Sequence, residues 1–236
     1  MKIIAHRGYS KSYPENTILA FEKAIEIGCD MIETDVRLTK DCIPILFHDE
    51  TLKRCANIDA NVEDKPLNEL LKLDIGLWFS KEFKNQKIPT LTNLIKTTNK
   101  RVTLILELKY QQKNFKTLCK EVIKQIKGKE SWIEVSSFDD EILDFIHQLN
   151  PSTILHKLID DKATLESSNF YIKYKKISYF DINIDLKEHP IAKKLIPLNN
   201  VILWTIDEHD ISNEIKNGLY GAMANDPLIL LKYINK

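Results

Sequence analysis

Short, nearly continuous apolar runs recur along the chain, and most of them are followed by a stretch with apolar residues at helical spacing. Runs of this kind are typical of strands that are buried on both faces of a parallel sheet. We predict strands at residues 2–5, 30–36, 44–47, 102–108, 132–136, 153–159, 179–184, 201–206 and 221–224.

Amphipathic helices are predicted between most of these strands. Each has a glycine or a proline at its end or shortly beyond it, and these residues commonly stop a helix. The clearest examples are residues 17–27, 115–127, 139–149 and 211–216. Alternation of strand and helix predicts an α/β fold with a parallel sheet.

The run at 44–47 does not fit the parallel pattern. Only residues 37–43 separate it from the strand at 30–36, which is too short for the crossover helix that parallel neighbours need. We therefore predict an antiparallel hairpin that turns near Lys40 and Asp41. The other eight strands match the number in a (β/α)8 TIM barrel.

We expect residues 1–236 to form one such α/β barrel domain, because a barrel of this size is commonly a single unit. The segment 49–89 is long, polar and only partly helical. It is predicted to be an insertion over one face of the barrel, which could act as a small lid.

The overall charge favours no nucleic acid and no anionic membrane, because 34 basic residues balance 34 acidic ones. An anion site would therefore have to be local. We recognise no signal peptide and no membrane-spanning run, and Cys29, Cys42, Cys55 and Cys119 form no C-x-x-C pair. We expect reduced thiols, a cytoplasmic location, no nucleic-acid partner and no stable membrane anchor. The oligomeric state is left open.

The strand predicted at 30–36 carries two carboxylates. Glu33 and Asp35 are two residues apart, so their side chains point to the same side of a mostly apolar strand. Buried like charges repel each other, and a divalent cation that prefers oxygen ligands, Mg²⁺ or Ca²⁺, would relieve that repulsion. The spacing by itself is equally consistent with a solvated strand end that carries two acids.

The hairpin and the first strand bring histidines to this pair. Folding after residue 36 places His48 roughly opposite Glu33, and Asp49 follows and could orient the imidazole. His6 ends the first strand, where barrel enzymes place their sites. Arg7 follows it and offers a planar guanidinium suited to phosphate.

Glu107 and Lys109 lie two apart at the end of the strand predicted at 102–108. Alone, they are more simply read as an ion pair without a function. Together, however, the three strand ends supply an acid, a base, metal ligands and cations for a phosphate. This combination favours a functional site over coincidence.

Short motifs follow one another along nearly the whole chain. They are H-R-G at 6–8, P-E-N-T at 14–17, E-x-D-V at 33–36, H-D at 48–49, residues 76–79 with I-P-T-L at 88–91, E-x-K at 107–109, S-S-F-D at 136–139, W-T at 204–205 and D-P at 226–227. In this order they resemble the glycerophosphodiester phosphodiesterase family, whose barrel is similar to that of phosphatidylinositol phospholipase C.

The resemblance implies a hydrolase of glycerophosphodiesters, such as glycerophosphocholine or glycerophosphoethanolamine, that releases glycerol 3-phosphate and an alcohol. The implied roles cover eight residues and two supporting ones. They are His6 and His48 as the general acid–base pair, Glu33, Asp35 and Glu107 as ligands of one Mg²⁺ or Ca²⁺ ion, Arg7 and Lys109 as phosphate-binding residues, Trp204 as a pocket wall, and Asn16 and Asp49 as supporting residues.

The sequence departs from the family pattern at two positions. Cys42 stands where the hairpin often has a glycine, and Asn225 stands where threonine is common. We expect neither residue to touch the proposed catalytic set.

Polar residues inside the predicted barrel leave two interpretations open. Asp181, Asn183 and Asp185 share one side of their strand and could either line the lower pocket or form hydrogen bonds inside the barrel. His156 lies on the strand predicted at 153–159 and is expected to be a hydrogen-bonded polar residue without a role in catalysis.

Two other functions are compatible with the motifs. A phospholipase D that acts on lysophospholipid or sphingolipid has a similar spacing of the early histidines and acids, and Leu77, Trp78 and Phe79 could form its lipid-facing surface. A non-catalytic barrel that binds a phosphorylated ligand would need Arg7 and Lys109 but not both histidines.

Overall fold

The computed structural model describes residues 1–111 and 114–233, so residues 112–113 and 234–236 of the predicted domain lie outside the described residues. The strands are β1 (Lys2–His6), β2 (Met31–Leu38), β3 (Pro44–Leu46), β4 (Thr103–Leu108), β5 (Ile133–Ser137), β6 (Leu155–Ile159), β7 (Tyr179–Asn183), β8 (Val201–Trp204) and β9 (Gly221–Ala224).

Helices surround these strands. The α-helices are α1 (Ile18–Glu26), α2 (Lys53–Ala56), α3 (Leu67–Leu70), α4 (Leu91–Thr98), α5 (Phe115–Ile126), α6 (Asp140–Leu149), α7 (Lys162–Leu165), α8 (Phe170–Lys173), α9 (Pro190–Leu195), α10 (Ser212–Lys216) and α11 (Leu228–Leu231). Short 3₁₀ helices lie at Val62–Asp64, Lys81–Phe83, Ile184–Leu186 and Ile196–Leu198. Among the described residues, no helix is both long and apolar enough to cross a membrane.

The sheet closes on itself, because β1 pairs in parallel with both β2 and β9. The other neighbours follow in the order β9-β8-β7-β6-β5-β4-β2, all parallel. The predicted (β/α)8 TIM barrel is therefore confirmed. Closure also fixes the register at the mouth, where His6 lies beside Glu33 and Asp35 beside Glu107.

The predicted hairpin is present. Strand β3 runs antiparallel to β2, with Leu46 opposite Val36, and the turn closes through a hydrogen bond from the Cys42 N–H to the carbonyl oxygen of Thr39 (2.9 Å). Cys42 has φ of 62°, a left-handed conformation that glycine adopts at no steric cost.

The predicted helices at 17–27, 115–127, 139–149 and 211–216 are confirmed as α1, α5, α6 and α10, with ends shifted by one residue or so. Helix α4 was not predicted. It begins with a capping box in which the Thr90 side chain accepts from the N–H of Asn93, and the Asn93 side chain accepts from the N–H of Thr90.

The segment 49–89 leaves the barrel after β3 and returns before α4. It holds α2, α3 and two of the 3₁₀ helices, and it has an apolar cluster of its own. The cluster consists of Ile45, Phe47, Leu52, Cys55, Val62, Leu70, Ile75 and Ile88. Because β3 contributes to this cluster, the segment is anchored beside the hairpin that carries His48.

The barrel interior has an apolar part and a charged part. The apolar part is formed by Ile4, Met31, Ile105, Ile202 and Met223. In the charged part, His156 is fully buried and lies between Asp181 (Nδ1 to Oδ1, 3.0 Å) and Glu134 (Nε2 to Oε2, 2.8 Å). Of the two interpretations for Asp181, hydrogen bonding inside the barrel is therefore the observed one.

Candidate active site

Three carboxylates meet at the carboxyl ends of β2 and β4. Glu33 and Asp35 share one face of β2, and the parallel register puts Glu107 beside Asp35. Their relative exposures are only 3%, 0% and 7%, and one oxygen from each lies within 4.8 Å of the others. The structure therefore brings together the three acids that the sequence singled out.

Burial and the mutual repulsion of the carboxylates oppose full ionisation of this cluster. Burial and the charges of the other two acids hold the pKa of Glu33 well above its ordinary value. Burial, opposed by Lys109, raises the pKa of Glu107 to about 7. Asp35 differs, because Lys109 and Arg7 overcome its burial and hold its pKa far below the ordinary value.

The donor set fits a divalent cation. Oε1 of Glu33 is buried and has no hydrogen-bond partner among the described residues, which costs free energy unless something binds there. Three ionised carboxylates against Arg7 and Lys109 leave one excess negative charge, and a divalent cation would turn it into one excess positive charge. That balance suits a phosphodiester monoanion. Oxygen-only ligands are those that Mg²⁺ and Ca²⁺ prefer.

Two cations face the same acids. The Lys109 Nζ lies 2.9 Å from Asp35 Oδ1 and 2.5 Å from Glu107 Oε1. The Arg7 guanidinium lies 3.4 Å from Asp35 through Nε and donates through Nη1 to Glu15 (3.1 Å). Both side chains are mostly buried and line the pocket, so they are placed to meet an anionic ligand.

His6 lies at the end of β1 and points its Nε2 towards Glu33, at 3.9 Å from Oε2. Its Nδ1 lies 2.7 Å from Oδ1 of Asn225. Asn225 also donates through its side-chain nitrogen to Asp207, which fixes the amide so that Oδ1 accepts from His6. Burial and the charge of Arg7 lower the pKa of His6 to about 4.

This contact corrects one expectation. Asn225 was expected not to touch the catalytic set, but it holds one of the two histidines. The residue follows β9, and only closure of the barrel brings β9 beside β1. No local sequence signal connects the two positions.

His48 lies just beyond β3, after Phe47, whose N–H donates to the carbonyl of Asp35 (3.0 Å). The His48 Nδ1 donates to Oδ1 of Asp49 at 2.7 Å, and this hydrogen bond orients the imidazole. Its carbonyl oxygen accepts from Nε of Arg37 (2.9 Å). Burial lowers the pKa of His48, against the charge of Asp35, which acts in the opposite direction.

A cavity of about 140 Å³ opens over these groups. One side is polar and is lined by His6, Arg7, Glu33, His48, Glu107 and Lys109. The other side is apolar and is lined by Phe138, Leu158, Trp204 and Met223. The Trp204 ring is fixed by a hydrogen bond from Nε1 to the carbonyl of Asp181 (2.9 Å) and by an edge contact with Phe138. The Trp204 side chain therefore lies in the cavity lining.

Asn16 is a buried residue that contacts the carboxylate of Asp35. It is 1% exposed, donates to Oδ2 of Asp35 (2.7 Å) and accepts from the hydroxyl of Thr34 (2.7 Å). These two bonds hold the Asp35 carboxylate in one orientation. The sequence placed Asn16 as a supporting residue but gave no role to its neighbour Glu15, which the structure pairs with Arg7.

Comparisons with known proteins agree with this geometry. The sequence model of the glycerophosphoryl diester phosphodiesterase family matches residues 6–226. A glycerophosphodiester phosphodiesterase of Caldanaerobacter subterraneus subsp. tengcongensis is 34% identical, with 99% of this chain and 98% of the relative covered.

Solved structures give the same result. A phosphodiesterase of Oleispira antarctica in complex with the product sn-glycerol-3-phosphate is 26% identical, with a TM-score of 0.85 over 100% of this chain and 97% of that one. A glycerophosphodiester phosphodiesterase of Thermotoga maritima is 28% identical, with a TM-score of 0.80 over 98% of each chain.

Proposed function

Because the chain belongs to the glycerophosphoryl diester phosphodiesterase family, we propose that it hydrolyses glycerophosphodiesters, such as glycerophosphocholine or glycerophosphoethanolamine, to glycerol 3-phosphate and an alcohol. One observation carries the proposal: two histidines, two cations and the carboxylates of Glu33 and Glu107 line a single cavity, and the buried carboxylate of Asp35 lies directly beside Glu33 and Glu107. The glycerol 3-phosphate in the Oleispira antarctica structure supports the choice of product.

The three acids would hold one divalent ion, Mg²⁺ or Ca²⁺. Support comes from the buried, unpartnered oxygen of Glu33 and from the short distances to Asp35 and Glu107. When bound, such an ion neutralises negative charge on phosphoryl oxygens as the transition state develops. Asn16 would keep Asp35 oriented for this task.

Arg7 and Lys109 would bind the non-bridging oxygens of the phosphodiester. Preorganised cations stabilise the charge that develops on those oxygens, because they need no reorganisation during the reaction. Trp204 and Phe138 would face the carbon skeleton of the glycerol or the alcohol, since they form the apolar side of the cavity.

His6 and His48 would transfer the protons. Each imidazole has its Nδ1 on a protein acceptor, Asn225 or Asp49, so each presents its Nε2 to the cavity. In the proposed first step, one histidine takes the proton of the glycerol 2-hydroxyl as that oxygen attacks phosphorus. The other gives a proton to the departing alkoxide, and water then opens the cyclic phosphate. A well-placed acid or base typically contributes ~10²–10⁴-fold.

The experiment measures glycerol 3-phosphate and choline released from glycerophosphocholine, with and without Mg²⁺ or Ca²⁺. His6→Ala and His48→Ala should each lower turnover at least ~10²-fold with unchanged circular dichroism. His147→Ala, on the partly exposed face of α6, is the matched control and should retain full activity. Full activity after exhaustive chelation would rule out the metal, and full activity of either histidine variant would rule out its role.

The same assay separates the alternatives. Faster release of choline from lysophosphatidylcholine than from glycerophosphocholine would identify a phospholipase D instead. Binding of glycerophosphocholine without any release would identify a non-catalytic barrel. Leu77 and Trp78 are exposed, as a lipid-facing surface requires. Trp78 also donates to the carbonyl of Ile75 and stacks with Arg54, so contacts within the segment explain its position without a lipid.

We also propose that residues 1–236 act as one domain in the cytoplasm. Among the described residues, eight strands form one closed barrel, and the ninth, β3, pairs with β2 of that barrel. All four cysteines are free, and burial raises the pKa of the Cys29, Cys55 and Cys119 thiols to about 12, which keeps them protonated and unreactive.

A further inference from the structure

One guanidinium in the segment 49–89 joins two acids at the rim of the cavity. Arg54, on α2, donates to both oxygens of Asp49 through Nε (2.7 Å) and Nη2 (2.9 Å). It also donates to both oxygens of Glu15 through Nη1 (2.9 Å) and Nη2 (2.7 Å). The two acids lie far apart in the chain, in the loop before α1 and just beyond β3.

Each of these acids also holds a residue of the site. Asp49 accepts from Nδ1 of His48 at 2.7 Å, and Glu15 accepts from Nη1 of Arg7 at 3.1 Å. Arg54 is therefore linked through a single carboxylate to a proposed acid–base residue, His48, and through another to a proposed phosphate-binding residue, Arg7.

The Arg54 guanidinium forms a bidentate contact with each carboxylate, and several side chains hold it in place. The side chains of Glu15 and Asp49 are only 15% and 23% exposed, and the Arg54 guanidinium stacks on the Trp78 ring at 5.0 Å. Four contacts to two carboxylates need a planar group with several donors, and the single ammonium of a lysine cannot reproduce them.

This contact lowers the pKa of both acids. Against burial, the hydrogen bonds from Arg54 and the charge of Arg7 hold the pKa of Glu15 below its ordinary value. Against burial, the bonds from Arg54 and His48 lower the pKa of Asp49 to about 2. Both acids thus remain ionised acceptors for the residues that they orient.

We propose that Arg54 is a positioning residue. It holds the side chains of His48 and Arg7 in place through Asp49 and Glu15, and so makes the segment 49–89 part of the active site. The inference rests on the proposed hydrolysis of glycerophosphodiesters. Arg54 itself does not line the cavity, so it acts only through the two acids.

Loss of the Arg54 contacts with Asp49 and Glu15 should change both kcat and KM. A free Asp49 can rotate away from His48, which lowers kcat. A free Glu15 is left with Arg7 as its cationic partner and competes with the phosphodiester for it, which raises KM. Misplacement of a reacting group by about 1 Å can cost ~10²-fold, so we expect Arg54→Met to lower kcat/KM by about 100-fold.

The test compares Arg54→Met, which keeps the stem beside Trp78, with Arg54→Lys, which keeps the charge, using glycerophosphocholine and the activating metal. Arg54→Lys should recover only part of the loss. Arg101→Met is the matched control, because the Arg101 side chain donates to the carbonyls of Thr97 and Thr98 at the end of α4, away from the residues that line the cavity, and it should retain wild-type constants.

A second measurement shows whether Arg54 acts through the acids. In the Glu15→Gln/Asp49→Asn background, adding Arg54→Met should cost less than threefold in kcat/KM. The same 100-fold loss in both backgrounds would overturn the inference, as would Arg54→Met or Arg54→Lys enzyme with wild-type kcat and KM. A wild-type protein that does not turn over glycerophosphocholine would refute the proposed function instead.

Discussion

Replacement of Glu107 by glutamine tests the idea that the acid cluster is built for a cation. Glu107 lies at the end of β4 and is 7% exposed, beside Asp35 and within 2.5 Å of the Lys109 ammonium. Glutamine keeps the shape and an oxygen acceptor for Lys109 but cannot ionise. Any change in stability therefore reports mainly on the negative charge.

The sign and size follow from the pKa of Glu107. Burial, opposed by Lys109, raises this pKa from 4.5 to about 7 in the metal-free protein. A folded-state pKa above the unfolded value favours the neutral form, so the folded state loses stability as pH rises from 4.5 to about 7. Each pKa unit corresponds to about 1.4 kcal/mol, which gives a penalty of about 3 kcal/mol above pH 7.

The assay is urea unfolding of both proteins in EDTA at pH 8 and pH 5, repeated with Mg²⁺ or Ca²⁺. In EDTA, Glu107→Gln should be more stable than wild type by about 3 kcal/mol at pH 8 and by only about 1 kcal/mol at pH 5. Metal at 100 times its Kd should stabilise the wild type by about 2.7 kcal/mol and the variant by less.

One result of this unfolding assay would contradict the expected penalty. A Glu107→Gln protein that is less stable than wild type in EDTA at pH 8 would show that Glu107 is stabilised as an anion by Lys109 alone. The cluster would then need no cation.

Four further substitutions test the backbone and the barrel interior by urea unfolding. Gly8→Ala should lower the free energy of unfolding by about 2–5 kcal/mol, because φ is +79° and the new Cβ would lie 2.8 Å from the backbone of Ala20. Gly28→Ala has φ of +83° but open space around the new Cβ, so it should lower the free energy of unfolding by only about 1–2 kcal/mol. Equal losses in the two variants would contradict the close approach at Gly8. Cys42→Gly should stabilise the hairpin turn by about 1 kcal/mol, since φ is 62°, and a loss of stability there would be evidence for a side-chain contact that we have not identified. His156→Leu should cost about 3–5 kcal/mol at pH 7, because two buried carboxylates lose their cation. The carboxylates overcome burial and raise the pKa of His156 to about 10, so this contribution should be present below pH 6.5 and fade as pH rises towards 10; a variant equally destabilised at pH 10.5 would refute it.

The amino-acid pattern was sufficient for the barrel because each strand carries its own signal. Buried parallel strands read as apolar runs, and the short gap before β3 excluded a crossover helix. Helix α4 was missed because its start depends on the capping box of Thr90 and Asn93, a two-residue signal that lies just after the predicted insertion at 49–89.

The candidate site was predictable where two of its residues lie two apart within a strand or across its end. Glu33 with Asp35 and Glu107 with Lys109 are each two residues apart, and strand periodicity puts each pair on one face. His48 and Asp49 are adjacent, so their contact also follows from the local sequence.

By itself, the sequence determined which side chains face the mouth of the barrel, because that depends on the alternation within each strand. Only the tertiary structure decided what holds those side chains in place. Asn225 reaches His6 because the barrel closes between β9 and β1, and Arg54 reaches Glu15 because the segment 49–89 folds back over the rim. Such contacts join residues of ordinary type that are distant in the chain, and burial and ring closure bring them together without any local pattern.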